Sequence, residues 1–166
     1  TDLPPHLLGE TVEKSRAKGQ LPSVKVVNLF RHDPVFAHVY MNPAISALAH
    51  DLMTGPVRVW EDQMIYKPAY DSQTALAWHR DYTFWDHVGP ADMATCWIAL
   101  DDTTASGGTM QLVRGSHRWK PSEELGKFHG PADHQALMRT AAAGEGIDDP
   151  EIVPVLVKRG GGSFHH

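Results

Sequence analysis

At 166 residues the chain is long enough to enclose one hydrophobic core, and 42% hydrophobic with 21% charged residues is an ordinary globular composition. A formal charge of −5 with no basic cluster argues against a nucleic-acid or anionic-membrane partner, since both require a basic surface. Cys96 is the single cysteine, so there is no internal disulfide and a reducing, cytoplasmic setting is expected.

The opening, TDLPPHLLGE, lacks a charged-then-apolar leader, and no apolar run approaches the ~20 residues of a membrane span. It also lacks an initial Met, and the sequence stops abruptly at GGGSFHH, so we expect a fragment. ETVEKSRAK, before Gly19, is a polar candidate helix. Asp33-Pro34 and Asn42-Pro43 each set a capping side chain before a proline suited to a first helical turn. Ile45, Leu48, Ala49, Leu52 and Met53 then recur at helical spacing, and Gly55 marks the stop.

From Val57 the texture changes. VRVWEDQMIYKP, ALAWHRDYTFW, MATCWIALDD, GTMQLVRGSH and EIVPVLVKRG are rich in Val, Ile, Trp and Tyr and bounded by Pro, Gly and Asp, as strands are. ADHQALMRTAAAG, between the last two, is expected to be helical. With no repeat or linker, residues 1–166 are expected to form a single domain: 1–56 a mostly helical flank, 57–166 a β core, incomplete at its C-terminus.

WHRDYTFWDH (Trp78–His87) carries the chemistry. On a strand, residues i and i+2 share a face, so His79 and Asp81 are expected to project together. They would supply two ligands of a 2-His-1-carboxylate triad, which holds Fe(II) and leaves three positions open. The same parity puts Thr83 and Trp85 on their side and Tyr82 and Phe84 on the other. His87 shares the parity but would lie roughly 20 Å along the strand. With eleven His in the chain, about one His-x-Asp pair is expected by chance. The pair alone is therefore weak, and a His and an Asp bonded to each other or to solvent at a strand edge is the commoner explanation.

The order of further segments decides. IYKP (Ile65–Pro68), WHRD (Trp78–Asp81), CWIALDD (Cys96–Asp102), SGGTMQLVRGSHRW (Ser106–Trp119) and GGGSFHH (Gly160–His166) together resemble the phytanoyl-CoA dioxygenase family of Fe(II)/2-oxoglutarate oxygenases. Asn28–Val57 is similar to that family's helical segment before the core. The resemblance implies a mainly β, double-stranded β-helix core (jelly-roll or cupin-like) with N-terminal flanking helices. It implies a dioxygenase using Fe(II), 2-oxoglutarate and O2, which hydroxylates a small organic substrate while 2-oxoglutarate becomes succinate and CO2.

Residue by residue, His79 and Asp81 match the first two iron ligands and are the expected catalytic centre. Lys67 sits where the family places a lysine near 2-oxoglutarate, although a solvated strand-end lysine is an equal reading. Trp97 falls on the strand lining the cofactor pocket, where a core role is the alternative. Arg114-Gly115-Ser116-His117 matches a closing turn, with Arg114 in place of the usual proline and His117 read as a loop residue. By this alignment the third ligand and the 2-oxoglutarate-binding Arg lie just beyond His166. His165 or His166 would serve only if the chain were complete. Related iron halogenases have a small residue at the carboxylate position, so Asp81 favours hydroxylation. The rival readings are a non-catalytic jelly-roll binding protein and a cupin-type metalloenzyme independent of 2-oxoglutarate. A cupin's two-His opening followed by Glu is missing, as is the HExxH of zinc hydrolases. Substrate and oligomeric state are not written in these motifs.

Overall fold

The computed structural model describes residues 24–67, 75–85, 93–120 and 133–165. Two compact units divide at Thr74/Ala75. The candidate helix ETVEKSRAK lies outside the described residues.

In the first unit, β1 (Val24–Val27) pairs antiparallel with β2 (Gln63–Tyr66), Val26 opposite Met64. Between them run a 3-10 turn (Leu29–Arg31), α1 (Pro34–Tyr40) and α2 (Pro43–Met53). Both helices begin as capping chemistry requires. Asp33 accepts from Val35 N at 2.8 Å and Asn42 from Ala44 N at 2.9 Å, each satisfying an amide that the helix leaves unpaired. α2 ends at Thr54, whose φ of 56° is left-handed, one residue before the expected Gly55. Val26 and Leu29 form the core here, with Phe36 and Met64 packed against them. Asp62 is buried beside this core, and burial raises its carboxyl pKa while the Phe30 amide bonds to it at 3.4 Å.

The second unit contains α3 (Tyr82–Trp85), β3 (Thr95–Ile98), β4 (Gln111–Val113), a 3-10 turn (Ser116–Arg118), α4 (His134–Gly144), β5 (Ile152–Pro154) and β6 (Gly162–His165). β3 pairs antiparallel with β6, and β4 with β5, so the inner pair is nested within the outer. Backbone bonds continue the ladder between them: Val155 N to Met110 O (2.9 Å), Thr103 N to Val157 O (3.0 Å) and Gly160 N to Ala99 O (2.8 Å). α4 is capped by Asp133 on Ala136 N at 2.9 Å and follows the expected span. It brings Met138 and Ala142 against Val113 and Trp119, and Trp78, Ala141, Ile147 and Ile152 close over them.

The mainly β expectation therefore holds in part. The strands are antiparallel and nested, but among the described residues they form three two-stranded pairs and no closed barrel. Strand content is also shorter than the segments forecast. Residues 57–62 are irregular, and only Gln63–Tyr66 of that segment is extended in a ladder.

The largest correction concerns ALAWHRDYTFW. Residues 75–80 are irregular and Tyr82–Trp85 is a helical turn, so no strand parity governs this segment. Aromatic residues favour half-buried pleated surfaces, but the preference is contextual and packing overrides it here. Ala77 is buried and Trp78 packs on the Met138 core. The distance argument against His87 assumed an extended chain and lapses, and His87 lies outside the described residues. No helix among the described residues is long and apolar enough to cross a membrane.

Candidate metal centre

His79 and Asp81 converge without a strand. Three contacts hold their loop in place. His79 Nδ1 donates to the carbonyl of Ala77, two residues back, at 2.6 Å. Arg80, between them, donates from one guanidinium nitrogen to Ser116 O (2.8 Å) and Trp119 O (2.6 Å). Thr95, the first residue of β3, donates its hydroxyl to Asp81 Oδ2 at 2.6 Å.

The resulting geometry centres on the Asp81 carboxylate. His79 Nε2 lies 3.3 Å from Oδ1, and His165 Nε2 lies 3.4 Å from Oδ2. All three side chains are mostly buried, between 17% and 20% exposed. Burial works to raise the Asp81 pKa, but the contacts with His165, His79 and Thr95 outweigh it and hold the carboxyl well below its ordinary value. Asp81 is therefore a carboxylate, able to act as a hard anionic ligand.

Whether these residues fit a metal is answered by the His79 tautomer. A carbonyl oxygen can only accept, so Nδ1 carries a proton on Ala77 O. Nε2 then faces Asp81 Oδ1 either as an imidazolium N–H or with its lone pair toward a cation. A second ring nitrogen tied to a backbone carbonyl is the usual support of a metal-ligating histidine. A first-row divalent ion held at about 2.1 Å spaces neighbouring octahedral donors about 3.0 Å apart. The 3.3 Å between His79 and Asp81 is close to that separation. Two donors fit. Among the described residues, however, no three His, Cys, Asp or Glu side chains form a complete metal-binding group. His166 lies outside the described residues.

The other expected residues fall in several places. Trp97 is half-buried on β3, two residues from Thr95 and thus on the same face of the strand. Its register partner is Ser163, as His165 is that of Thr95. Ser163 Oγ and His165 Nδ1 are both buried without a hydrogen-bond partner among the described residues. Lys67 follows β2 in the first unit, and desolvation lowers the pKa of its ammonium group.

Tyr82, forecast on the face opposite Asp81, instead lines a recess of about 10 Å3 with Asp81, Met93, Thr95 and His165. That is near the smallest space that holds one water. Thr83 is exposed, so the parity assignment is reversed for both residues, because a helical turn replaces the pleat. The side chains of Phe84 and Trp85 lie outside the described residues. Gly115 takes a left-handed φ of 79° that opens the Ser116–Arg118 turn, where His117 is exposed and its Nε2 accepts from Arg118 Nε at 3.2 Å.

Sequence reasoning missed Thr95 and the role of Arg80, and named His165 only as a conditional ligand. Thr95 had a usable signal: it shares strand parity with Trp97, already expected to face the pocket.

Comparison with known proteins places the chain in a family. The family model "Phytanoyl-CoA dioxygenase (PhyH)" matches residues 8–166. An L-proline trans-4-hydroxylase of Streptomyces griseoviridis is 36% identical over 87 residues, covering 51% of this chain and 32% of that protein. A phytanoyl-CoA dioxygenase domain-containing protein 1 of Rattus norvegicus is 26% identical over 147 residues, covering 85% and 49%. A probable alpha-ketoglutarate-dependent hypophosphite dioxygenase of Stutzerimonas stutzeri is 32% identical over 76 residues, covering 43% and 26%. The chain thus spans half or less of the length of each of these relatives. With the family model extending over nearly all of its residues, both compact units included, the chain belongs to the phytanoyl-CoA dioxygenase family.

Proposed function

We propose that the protein carrying this chain is an Fe(II)- and 2-oxoglutarate-dependent dioxygenase that hydroxylates a small organic substrate. The observation that carries the reading is the convergence of His79 Nε2 on the Asp81 carboxylate, with the His79 Nδ1 proton committed to Ala77 O. His79 and Asp81 are proposed as iron ligands, and His165 contacts the same carboxylate. Lys67 and Trp97 are proposed to serve 2-oxoglutarate, and residues 1–166 to form one oxygenase domain, which the span of the family match supports.

When bound, Fe(II) supplies the redox chemistry that couples decarboxylation of 2-oxoglutarate to oxidation of substrate by O2. The chain's part is to present ligands and hold them still. Ala77 O fixes the His79 tautomer, the Asp81 carboxylate stays ionised, and the Trp78 indole closes the core beside the loop. A carboxylate at this position keeps one site occupied that a halide would need, which favours hydroxylation. The name of the Stutzerimonas relative supports use of 2-oxoglutarate, and the Streptomyces relative supports carbon hydroxylation.

The test is anaerobic addition of Fe(II) and 2-oxoglutarate to the intact protein. A weak visible charge-transfer band is expected, with decarboxylation of 2-oxoglutarate on admitting air. His79→Ala and Asp81→Ala should abolish both. Unchanged turnover in either variant refutes the assignment, and a wild type without the band returns the protein to the binding-module or co-substrate-independent readings.

A further inference from the structure

We infer that Thr95 is a positioning residue that, together with His165 across the β3–β6 ladder, commits one oxygen of Asp81 and leaves the other to ligate the metal. This deepens the metal-site reading above and rests on it.

The argument begins with register. Thr95 and His165 are directly opposed partners of an antiparallel pair, so their side chains leave the ladder on the same face. Both reach the same atom. The Thr95 hydroxyl donates to Asp81 Oδ2 at 2.6 Å, and His165 Nε2 lies 3.4 Å from it. Oδ1 is turned to His79 instead, at 3.3 Å. The two carboxylate oxygens therefore have separate duties, Oδ2 facing the ladder and Oδ1 the histidine ligand.

That division has a chemical consequence. A carboxylate free to rotate can chelate a metal through both oxygens, which takes a second coordination position. With Oδ2 holding a short hydroxyl bond, only Oδ1 is available, and one further position stays open for a co-substrate. Asp81 sits at the end of an irregular loop and lacks a ladder of its own to fix it. The β3–β6 pair supplies the rigidity, and its inner bonds run on into the β4–β5 pair. Outer-shell hydrogen bonds of this kind orient ligands and tune affinity.

Thr95 is the informative residue to change, because His165 is itself a donor. Thr95→Val removes the hydroxyl while keeping shape and strand preference, and Thr95→Ser keeps the hydroxyl. The intact protein is titrated anaerobically with Co(II), read by its visible absorption. Thr95→Val should bind Co(II) about 10- to 100-fold more weakly and with altered band intensities. Thr95→Ser should match wild type in both. Thr95→Val binding as tightly as wild type, with the same bands, overturns the inference and leaves the metal site standing. So does a Thr95→Ser as weak as the valine variant, which would assign the loss to packing. A wild type that takes up no Co(II) refutes the metal-site reading, and this inference with it.

Discussion

Arg80→Ala tests whether the metal-site loop is held from behind. The guanidinium donates to two carbonyls, Ser116 O at 2.8 Å and Trp119 O at 2.6 Å, in a partly buried setting. Each hydrogen bond to a charged group contributes about 1.5–3 kcal/mol. Ser116 O keeps a second partner in the Trp119 amide at 3.0 Å, so its loss falls at the lower end. Together the two bonds are expected to be worth about 3–4.5 kcal/mol, a sizeable part of the 5–15 kcal/mol of a typical domain. With a urea dependence of about 2 kcal/mol per molar, the unfolding midpoint should fall by roughly 1.5–2 M. Arg80→Lys should recover only part of this, since an ammonium is a point donor and lacks the planar fork. The readout is equilibrium urea unfolding by tryptophan fluorescence, with Co(II) affinity measured alongside. Both should drop in Arg80→Ala, because His79 and Asp81 flank the anchor. An unchanged midpoint refutes the account of Arg80 as the anchor of this loop.

Two further outcomes follow from the same unit. In Gly162→Ala the new Cβ would press on the backbone carbonyl of Trp97 and sit 3.2 Å from its carbon and 3.4 Å from Ile98 Cα. Backbone atoms cannot swing aside, so β3 and β6 must separate, at a cost of about 1–3 kcal/mol; circular dichroism melting should show a lowered Tm and Co(II) titration a weakened site, and wild-type values in both would contradict the register. Asp81, whose carboxyl is held below its ordinary 3.8, contributes stability that is complete above that pH and is lost as pH falls beneath it. Metal-free Asp81→Asn should therefore lose stability less steeply than wild type between about pH 4 and pH 2, as followed by urea midpoints; equal slopes would mean that the carboxylate makes no net contribution in the fold.

Helix starts were legible in the sequence because capping is local chemistry. Asp33-Pro34, Asn42-Pro43 and Asp133 each satisfy an amide two or three residues away, and that information sits within one turn. Strand extents were less legible. The aromatic run from Trp78 looks like a strand by preference, but what shapes it is Trp78 on the Met138 core and Arg80 bonding to residues 36 and 39 positions ahead. Nothing within the run encodes those partners.

The His79–Asp81 pairing was thus reached by an argument whose premise fails. One intervening residue places two side chains on one face of a strand, yet here the same outcome accompanies an Arg80 bonded to Ser116 O and Trp119 O, an Asp81 held by Thr95 and a His79 tautomer fixed on Ala77 O. The spacing is compatible with both backbones, which is why the motif predicted the convergence of the two side chains and not the secondary structure. Asp81's remaining partners belong to the opposite case. Thr95 is 14 residues away and His165 lies at the far end of the chain, and only the β3–β6 register brings them to one oxygen. A site of this kind divides its information in two. The candidate ligand types are written in a four-residue motif, while the partners that orient Asp81 are written in strand pairing, where single-sequence patterns are weakest.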